Sequence, residues 1–303
     1  MTEPGIFRTK HCGRCGAAFE CRAGGCWCTA LQVPPAVQVL IKSRYADCLC
    51  PDCLQAIVSQ TPVGKTPVVM SWSGGKDSAV ALYELLKDDR FEVVSLLTSV
   101  SEEFKRISHH GVRESLLEAQ AAAIGIPLQK VYLPSNNGQP CSNAVYEGIM
   151  GDVMRRYKAQ GVLTVGFGDL FLEDLRAWRE KNLAKEGMSA IFPVWKRDTT
   201  AFAREVIALG FKAYLSCVER KVGPGFAGRA FDETLLRDLP AGIDPCGEYG
   251  EFHSFVYDGP IFRTPVAVKV GEIVVRDGRY YADLLPETAE IPARCVAADM
   301  PPV

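Results

Sequence analysis

The sequence predicts an α/β protein: a doubly wound, mostly parallel sheet, preceded by a small cysteine-rich metal module and followed by a smaller mixed α/β domain. Three observations carry that expectation. From residue 67 to about 217, apolar runs of strand length alternate with helical stretches of ten or more residues. Of twelve cysteines in 303 residues, eight stand at positions 12, 15, 21, 26, 28, 48, 50 and 53. After about 222 the alternation gives way to short strands with a tight turn at Asp277-Gly278. The expected layout is a Cys-rich module over 1–58, a linker over 59–66, an anion-binding α/β domain over 67–221 and a closing domain over 222–303.

Composition narrows the classes. Hydrophobic residues make up 48% and charged residues 23%, with a formal net charge of −2. Such a chain buries a real core; it is neither disordered nor a basic nucleic-acid coat, although a local basic patch stays open. No run of about 18 apolar residues is present, and the N-terminus is charged and Cys-rich, so a cytoplasmic protein without membrane contact is expected.

In the first module, Cys12-Gly-Arg-Cys15 and Cys50-Pro-Asp-Cys53 are two metal-binding halves, together four thiolates suited to tetrahedral Zn²⁺. Cys21, Cys26, Cys28 and Cys48 make a possible second set, with His11 as a spare ligand. A module this short buries little apolar area, so the metal supplies its folding free energy. Four thiolates do not by themselves choose between zinc and an Fe–S cluster. These cysteines, with Gly25-Cys26-Trp27-Cys28, resemble the bacterial cysteine-rich CWC family, which brings no activity with it. In the linker, Gly64-Lys65-Thr66 lacks the upstream glycine of a Walker A loop, and Pro67 keeps it from opening into a helix.

Next, Pro67–Trp72 is a β-branched strand, Ser73-Gly-Gly-Lys-Asp-Ser78 a glycine-rich turn, and Ala79–Leu86 a helical face. Together they form an anion cradle: Gly74 and Gly75 let the backbone approach phosphate oxygens, and helix N–H groups donate to them. Ser73 and Ser78 add hydroxyls, and Lys76 a positive charge for a polyphosphate. Asp77 is either an N-cap or, through water, a Mg²⁺ partner. Strands follow at 91–99, 128–133, 162–167, 190–193 and 213–217, with helices at 111–124, 143–160, 174–185 and 199–209. Ligands of such sheets sit beyond the carboxyl ends of the strands. That rule selects 73–78, Thr98 with the segment to His110, and the loop from Gly166 through Gly168 to Glu173.

The hexapeptide SGGKDS after a buried strand resembles the signature of PP-loop, or N-type ATP pyrophosphatase, proteins. Further stretches narrow the likeness: His110-Gly-Val-Arg113, Gly168-Asp-Leu170, Leu172–Glu180, Phe192-Pro-Val-Trp195, and Asp244–Pro260 with Glu248-Tyr-Gly-Glu251-Phe-His253-Ser254. In order over about 67–265, they resemble the diphthine–ammonia ligase family; Ser254 stands where that family usually has Thr. The resemblance implies ATP and Mg²⁺, adenylation of a carboxylate with loss of pyrophosphate, and displacement of AMP by ammonia. In that family the carboxylate is that of diphthine on elongation factor 2; for this chain the acceptor stays open.

It also implies roles for Lys76, Asp77, Glu251 and His253 in catalysis, and for Ser73–Ser78, Thr98 and Gly168 in ATP binding. His110, Arg113, Asp169, Glu173, Asp174, Glu248, Tyr249 and Ser254 would meet the substrate. Read from the residues alone, 248–253 is a glycine-flanked flexible loop presenting two carboxylates, an aromatic ring and an imidazole to one cleft. Asp169, Glu173 and Asp174 equally suit ordinary acidic helix starts. Two other readings compete with the ligase: an RNA-modifying PP-loop enzyme, such as a tRNA thiolase, and a non-catalytic ATP-binding regulator. Cys141, Cys217, Cys246 and Cys295 read as buried thiols, and residues from about 289 as a fraying tail.

Overall fold

The computed structural model describes residues 7–22, 44–60, 64–107, 110–136 and 139–287, together with 31, 33, 37 and 41. Cys26, Cys28, His109, Cys295 and the expected tail lie outside the described residues. The chain divides into two compact units, Met1–Thr66 and Pro67–Val303.

In the first unit, β1 (Phe7–His11) and β2 (Ala18–Arg22) form an antiparallel hairpin. Its turn closes through Gly16, whose φ of 75° suits a residue without Cβ. Helix α1 (Pro51–Gln60) starts on Pro51, where the missing N–H costs nothing. Cys12, Val37, Leu49, Cys50, Leu54 and Ile57 form a small buried core.

The second unit carries the doubly wound sheet. Strands β3 (Thr66–Ser71), β4 (Phe91–Ser101) and β5 (Leu128–Leu133) are followed by a small hairpin, β6 (Ser135–Asn136) with β7 (Gln139–Pro140). Then come β8 (Thr164–Gly166) and β9 (Ser189–Ile191). The five long strands are ordered β5-β4-β3-β8-β9, with β3–β8, β4–β5 and β8–β9 parallel. Strand order reverses between β3 and β8, so the ligand crevice of this fold class opens at their carboxyl ends. Helices α2 (Lys76–Lys87) and α3 (Glu114–Ile124) pack into one core with Val68, Met70 and Leu96. Helices α4 (Asn143–Ala159) and α5 (Glu173–Lys185) supply Val153, Met154, Tyr157 and Leu183 to the other, with Val69, Leu97 and Val165. Alternate residues of the central strands thus feed opposite cores.

The sequence reading needs three corrections. After α6 (Thr199–Ala208), the run at 213–217 does not extend the parallel sheet. It belongs to β10 (Lys212–Glu219), which pairs antiparallel with β11 (Phe252–Asp258) and with β13 (Arg279–Pro286). With β12 (Val268–Arg276) these make a second sheet ordered β11-β10-β13-β12, so the architectural break lies before 212, not after 221. A strand apolar on both faces does not announce its sheet. Second, β11 was not expected at all. Third, the segment before the Asp277-Gly278 turn is one long strand, β12, rather than several short ones, with a register shift between Val270 and Ile273. The hairpin at Asp277-Gly278 stands as expected, both residues at positive φ. Helix α7 (Glu233–Asp238) is the short helix read from the sequence.

The two sheets meet through Gln120, a fully buried amide on the apolar face of α3. Its Oε1 accepts from Trp72 Nε1 at 3.0 Å, and its Nε2 donates to the carbonyls of Gly74, at 3.0 Å, and Val256. Replacing Gln120 by Leu keeps the volume, strands the Trp72 indole N–H and takes one donor from the Gly74 and Val256 carbonyls. Equilibrium urea unfolding is expected to show a loss of about 2–4 kcal/mol; a loss below about 0.5 kcal/mol would deny Gln120 this joining role.

Candidate active site

The glycine-rich turn sits where the sequence placed it, between β3 and α2 at the reversal of strand order. Gly74 has φ 76°, and a Cβ there would lie 2.7 Å from Gln120 Oε1 and 2.9 Å from Leu117 Cδ2. Gly75 at the N-cap has no side chain to cap α2; Ser254 takes the N–H of Lys76, and the helix start beyond it is left to an anion. Ser73 Oγ and Ser78 Oγ are 3.1 Å apart; Ser73 Oγ accepts from Gly75 N–H, and Ser78 Oγ donates to the Gly75 carbonyl. Gly168, just beyond β8, lies so close that a Cβ would come within 2.7 Å of Ser78 N and 2.8 Å of the Asp77 carbonyl carbon. Only glycine lets the β8 loop pass over the start of α2.

The second sheet forms the other wall. Ser254 Oγ on β11 accepts from Lys76 N–H at 3.1 Å, and Val256 N–H donates to the Gly74 carbonyl at 2.9 Å. Lys76 is 2% exposed; its Nζ bonds Asp77 Oδ2 at 3.0 Å and the Cys246 carbonyl, and lies 5.4 Å from the Phe252 ring centre and 5.7 Å from that of Phe231. Burial opposes its charge, but the carboxylates of Asp77 and Glu248 outweigh that and hold its pKa above the ordinary lysine value. Burial pushes Asp77 up, against the pull of Lys76. Burial and the Asp77 charge raise Glu248 to about 7, although the N–H groups of Leu170 and Phe171 donate to its Oε1 at 3.3 Å each. Glu248 therefore joins the loop after β8 to the segment before β11.

Asp169 stays at the crevice, paired with Arg179 Nε at 2.7 Å, and its charge reaches Asp77. His110 and His253 stack with ring centres 4.3 Å apart, bridging the loop after β4 and β11. Thr98 is buried in β4, its Oγ1 without a hydrogen-bond partner among the described residues. Tyr249 is 65% exposed at the rim, edge-on to Phe171.

The rest are engaged elsewhere. Arg113 binds Asp283 of β13 through two nitrogens, at 3.1 and 2.7 Å, and Arg106 shares that carboxylate at 2.8 Å. Glu251 is buried and accepts from Tyr249 N–H at 3.0 Å, with Lys221 Nζ 3.6 Å away; it braces its own turn. Glu173 is 74% exposed against Lys196, and Asp174 is exposed beside it. The 244–251 segment is thus a set of tight turns rather than a flexible loop. Asp244 Oδ1 alone accepts from the N–H groups of Cys246 and Glu248.

Sequence reasoning missed Gln120, although a glutamine at i+4 from Leu116 on an apolar helix face was a signal. It also missed a cavity of about 420 Å³ between α4 and α5. The cavity is floored by Ser71, Leu97, Val165 and Phe167 at the carboxyl ends of the sheet and walled by Tyr146 and Trp178. Its room comes from Ala144, Gly148 and Gly151, which share one face of α4 at i, i+4 and i+7.

In the first unit, the ligand atoms of Cys12, Cys15, Cys50 and Cys53 all lie within 4.8 Å of one another, and Cys15 Sγ is 3.8 Å from Cys50 Sγ. Burial works against ionisation of Cys12, yet N–H groups of Cys50, Cys15 and Arg14 hold its thiol at about 6. Of the other expected ligands, Cys48 is exposed and accepts from Lys10 Nζ at 3.5 Å, and Cys21 lies on β2.

Comparison with known proteins agrees with this architecture. Residues 65–190 match the diphthamide synthase N-terminal domain, 198–284 the diphthamide synthase C-terminal domain, and 12–55 the cysteine-rich CWC domain. The diphthine–ammonia ligase of Danio rerio is 24% identical over 69% of this chain and 89% of its own length. Those of Rattus norvegicus and Homo sapiens are 24% and 23% identical, over 69% of this chain and 85% of theirs. Among solved structures, the U34-tRNA thiolase NcsA from Methanococcus maripaludis with its [4Fe-4S] cluster shows 19% identity. Its TM-score is 0.30, over 49% of this chain and 59% of that one. With both halves of the domain pair matched in order across the second unit, the chain belongs to the diphthamide synthase family, here joined to a cysteine-rich CWC domain.

Proposed function

We propose that the chain is an ATP-dependent amide ligase that adenylates a substrate carboxylate and then replaces AMP with ammonia. The observation that carries this reading is a glycine-rich helix start, with no capping side chain of its own, at the strand-order reversal with a partly buried carboxylate, Glu248, beside it. The names of the curated relatives supply the reaction type.

The triphosphate lies on Ser73–Ser78, and the α4–α5 cavity, which reaches Ser71 at the end of β3, takes the flat base beside the packed rings of Tyr146 and Trp178. A carboxylate oxygen of the acceptor attacks the α-phosphorus; the bond to the β-phosphate oxygen breaks and pyrophosphate leaves. Ammonia nitrogen then attacks the acyl carbon and the bond to AMP breaks. Catalysis is mainly positioning and charge stabilisation by the loop's N–H groups. Ammonium must lose a proton before it attacks, and Glu248 accepts it. Asp77 Oδ1 is buried without a hydrogen-bond partner among the described residues, and Asp169 lies near enough to repel it. The pair fits a Mg²⁺ ion, which would screen the charge of the departing pyrophosphate. Diphthine, a protein-borne carboxylate, is the acceptor to try first.

The four thiolates fit one zinc ion. Bonds of about 2.3 Å in a tetrahedron place sulfurs about 3.8 Å apart, the Cys15–Cys50 separation found here. A cubane cluster sets each thiolate on a different iron and spreads them further.

Incubation with ATP, ammonium and a diphthine-bearing protein is expected to yield AMP and pyrophosphate; ADP as product would sink the ligase reading. Gly168→Ala, which drives a Cβ into the start of α2, is expected to lower that yield at least 100-fold. Because Glu248 must be a carboxylate to take the proton, the ammonia-dependent rate is expected to rise with pH through about 7. Glu248→Gln should abolish that limb, and a limb unchanged in the variant would assign it to another group. The same raised group binds its proton more tightly folded than unfolded, so its contribution to stability falls between pH 4.5 and about 7. Elemental analysis of the reduced full chain is expected to find zinc and to lose one equivalent in Cys15→Ser; iron in its place would reject the zinc assignment.

A further inference from the structure

We infer that Lys76 is a positioning residue: its ammonium fastens the 244–248 turn to the glycine-rich loop and leaves the phosphates to backbone N–H groups and the Ser73 and Ser78 hydroxyls. A lysine inside a glycine-rich anion cradle is ordinarily read as a phosphate ligand, as the sequence suggested here. The surroundings say otherwise.

Both ends of the residue bond to one stretch of chain: the backbone N–H to Ser254 Oγ, and Nζ to the Cys246 carbonyl. The ammonium is enclosed by that carbonyl, the Asp77 carboxylate and the rings of Phe231 and Phe252, at 2% exposure. To meet a phosphate it would have to abandon a buried carbonyl, a carboxylate and two ring faces. Held where it is, it stabilises two partly buried carboxylates, Asp77 and Glu248, whose charges would otherwise repel each other. The turn it anchors is the one that presents Glu248 to the N–H groups of Leu170 and Phe171. Lys76 thus fixes the distance between the loop after β3, the loop after β8 and the entry to β11. The Ser73 and Ser78 hydroxyls bond to each other and to the loop's own backbone, not to the Lys76 ammonium.

The inference rests on the reading that this loop holds the triphosphate, and the test separates the two. The full chain would be compared with Lys76→Met and Lys76→Arg by calorimetry with a non-hydrolysable ATP analogue and Mg²⁺, and by amide hydrogen exchange. In Lys76→Met, analogue affinity is expected to stay within threefold while exchange at 245–250 quickens at least tenfold. Carboxyl NMR should show Glu248 ionising at a higher pH than in the wild type, because a neighbouring cation has gone. Lys76→Arg keeps the charge in a group too broad for the carbonyl site. It should loosen the turn without weakening the analogue, and it carries the test if the methionine variant folds poorly. An affinity loss of thirtyfold or more with exchange at 245–250 unchanged would overturn the inference. If the wild type fails to bind the analogue, the triphosphate reading falls, and with it the clause that leaves the phosphates to the backbone.

Discussion

A loop that keeps N–H groups free for an anion has few left to hold itself in place. Its carbonyls must be anchored from outside, and here the anchor is the second sheet. The Gly74 carbonyl accepts from Gln120 Nε2 and from Val256 N–H, and Ser254 Oγ holds the first N–H of α2. β11 is therefore part of the cradle's foundation rather than a lid over it. Its register matters: a slip of one residue would turn Ser254 away and bring a histidine or phenylalanine to the loop. Gly74 must stay glycine for the same reason, because Gln120 and Leu117 press against the face where a Cβ would stand.

Charge follows from this packing. Once β11 and the 244–251 turns close over the loop, Lys76 is removed from water and Asp77 and Glu248 are partly so, and a charge held there is costly without a partner. One ammonium faces two carboxylates, and Asp169 adds a third that Arg179 partly answers. The surplus is negative. A site with surplus negative charge beside an anion cradle calls for a cation, and both a divalent metal with ATP and an incoming ammonium have that charge. The rise of Glu248 to about 7 is the same surplus felt by one group.

Much of this was legible in the sequence, and the limits have a common cause. Local signals worked: the SGGKDS turn, the strand and helix that flank it and the Asp277-Gly278 hairpin are specified by neighbours in the chain. Pairing of Cys12-x-x-Cys15 with Cys50-x-x-Cys53 was also readable, because each half is itself a local signature. What failed was long-range. Arg113 looked free for substrate, but its partner Asp283 lies 170 residues away. The resemblance gave Glu251 a catalytic role; the fold shows its carboxylate turned inward to accept Tyr249 N–H, with Lys221 beside it. β11 was hidden because glycines and carboxylates before it read as loop, and the alternation Phe252, Ser254, Val256 was outweighed.

The cysteine-rich unit is a separate matter from the chemistry. The diphthamide synthase models begin at residue 65, so everything the family shares lies after it. Its apolar core is small, and two of the six buried residues in it, Cys12 and Cys50, belong to the thiolate cluster. A core of that size does not offset the entropy of ordering some fifty residues, so an ion that ties the hairpin to the start of α1 would decide whether the unit folds. Metal and catalysis then separate by design of the chain. Chelation should unfold residues 1–60 and spare the glycine loop, whose own stability comes from Gln120 and β11. Circular dichroism of the full chain with and without a chelator would register a partial loss of signal, while analogue binding stays intact; collapse of both together would mean that the unit supports the site.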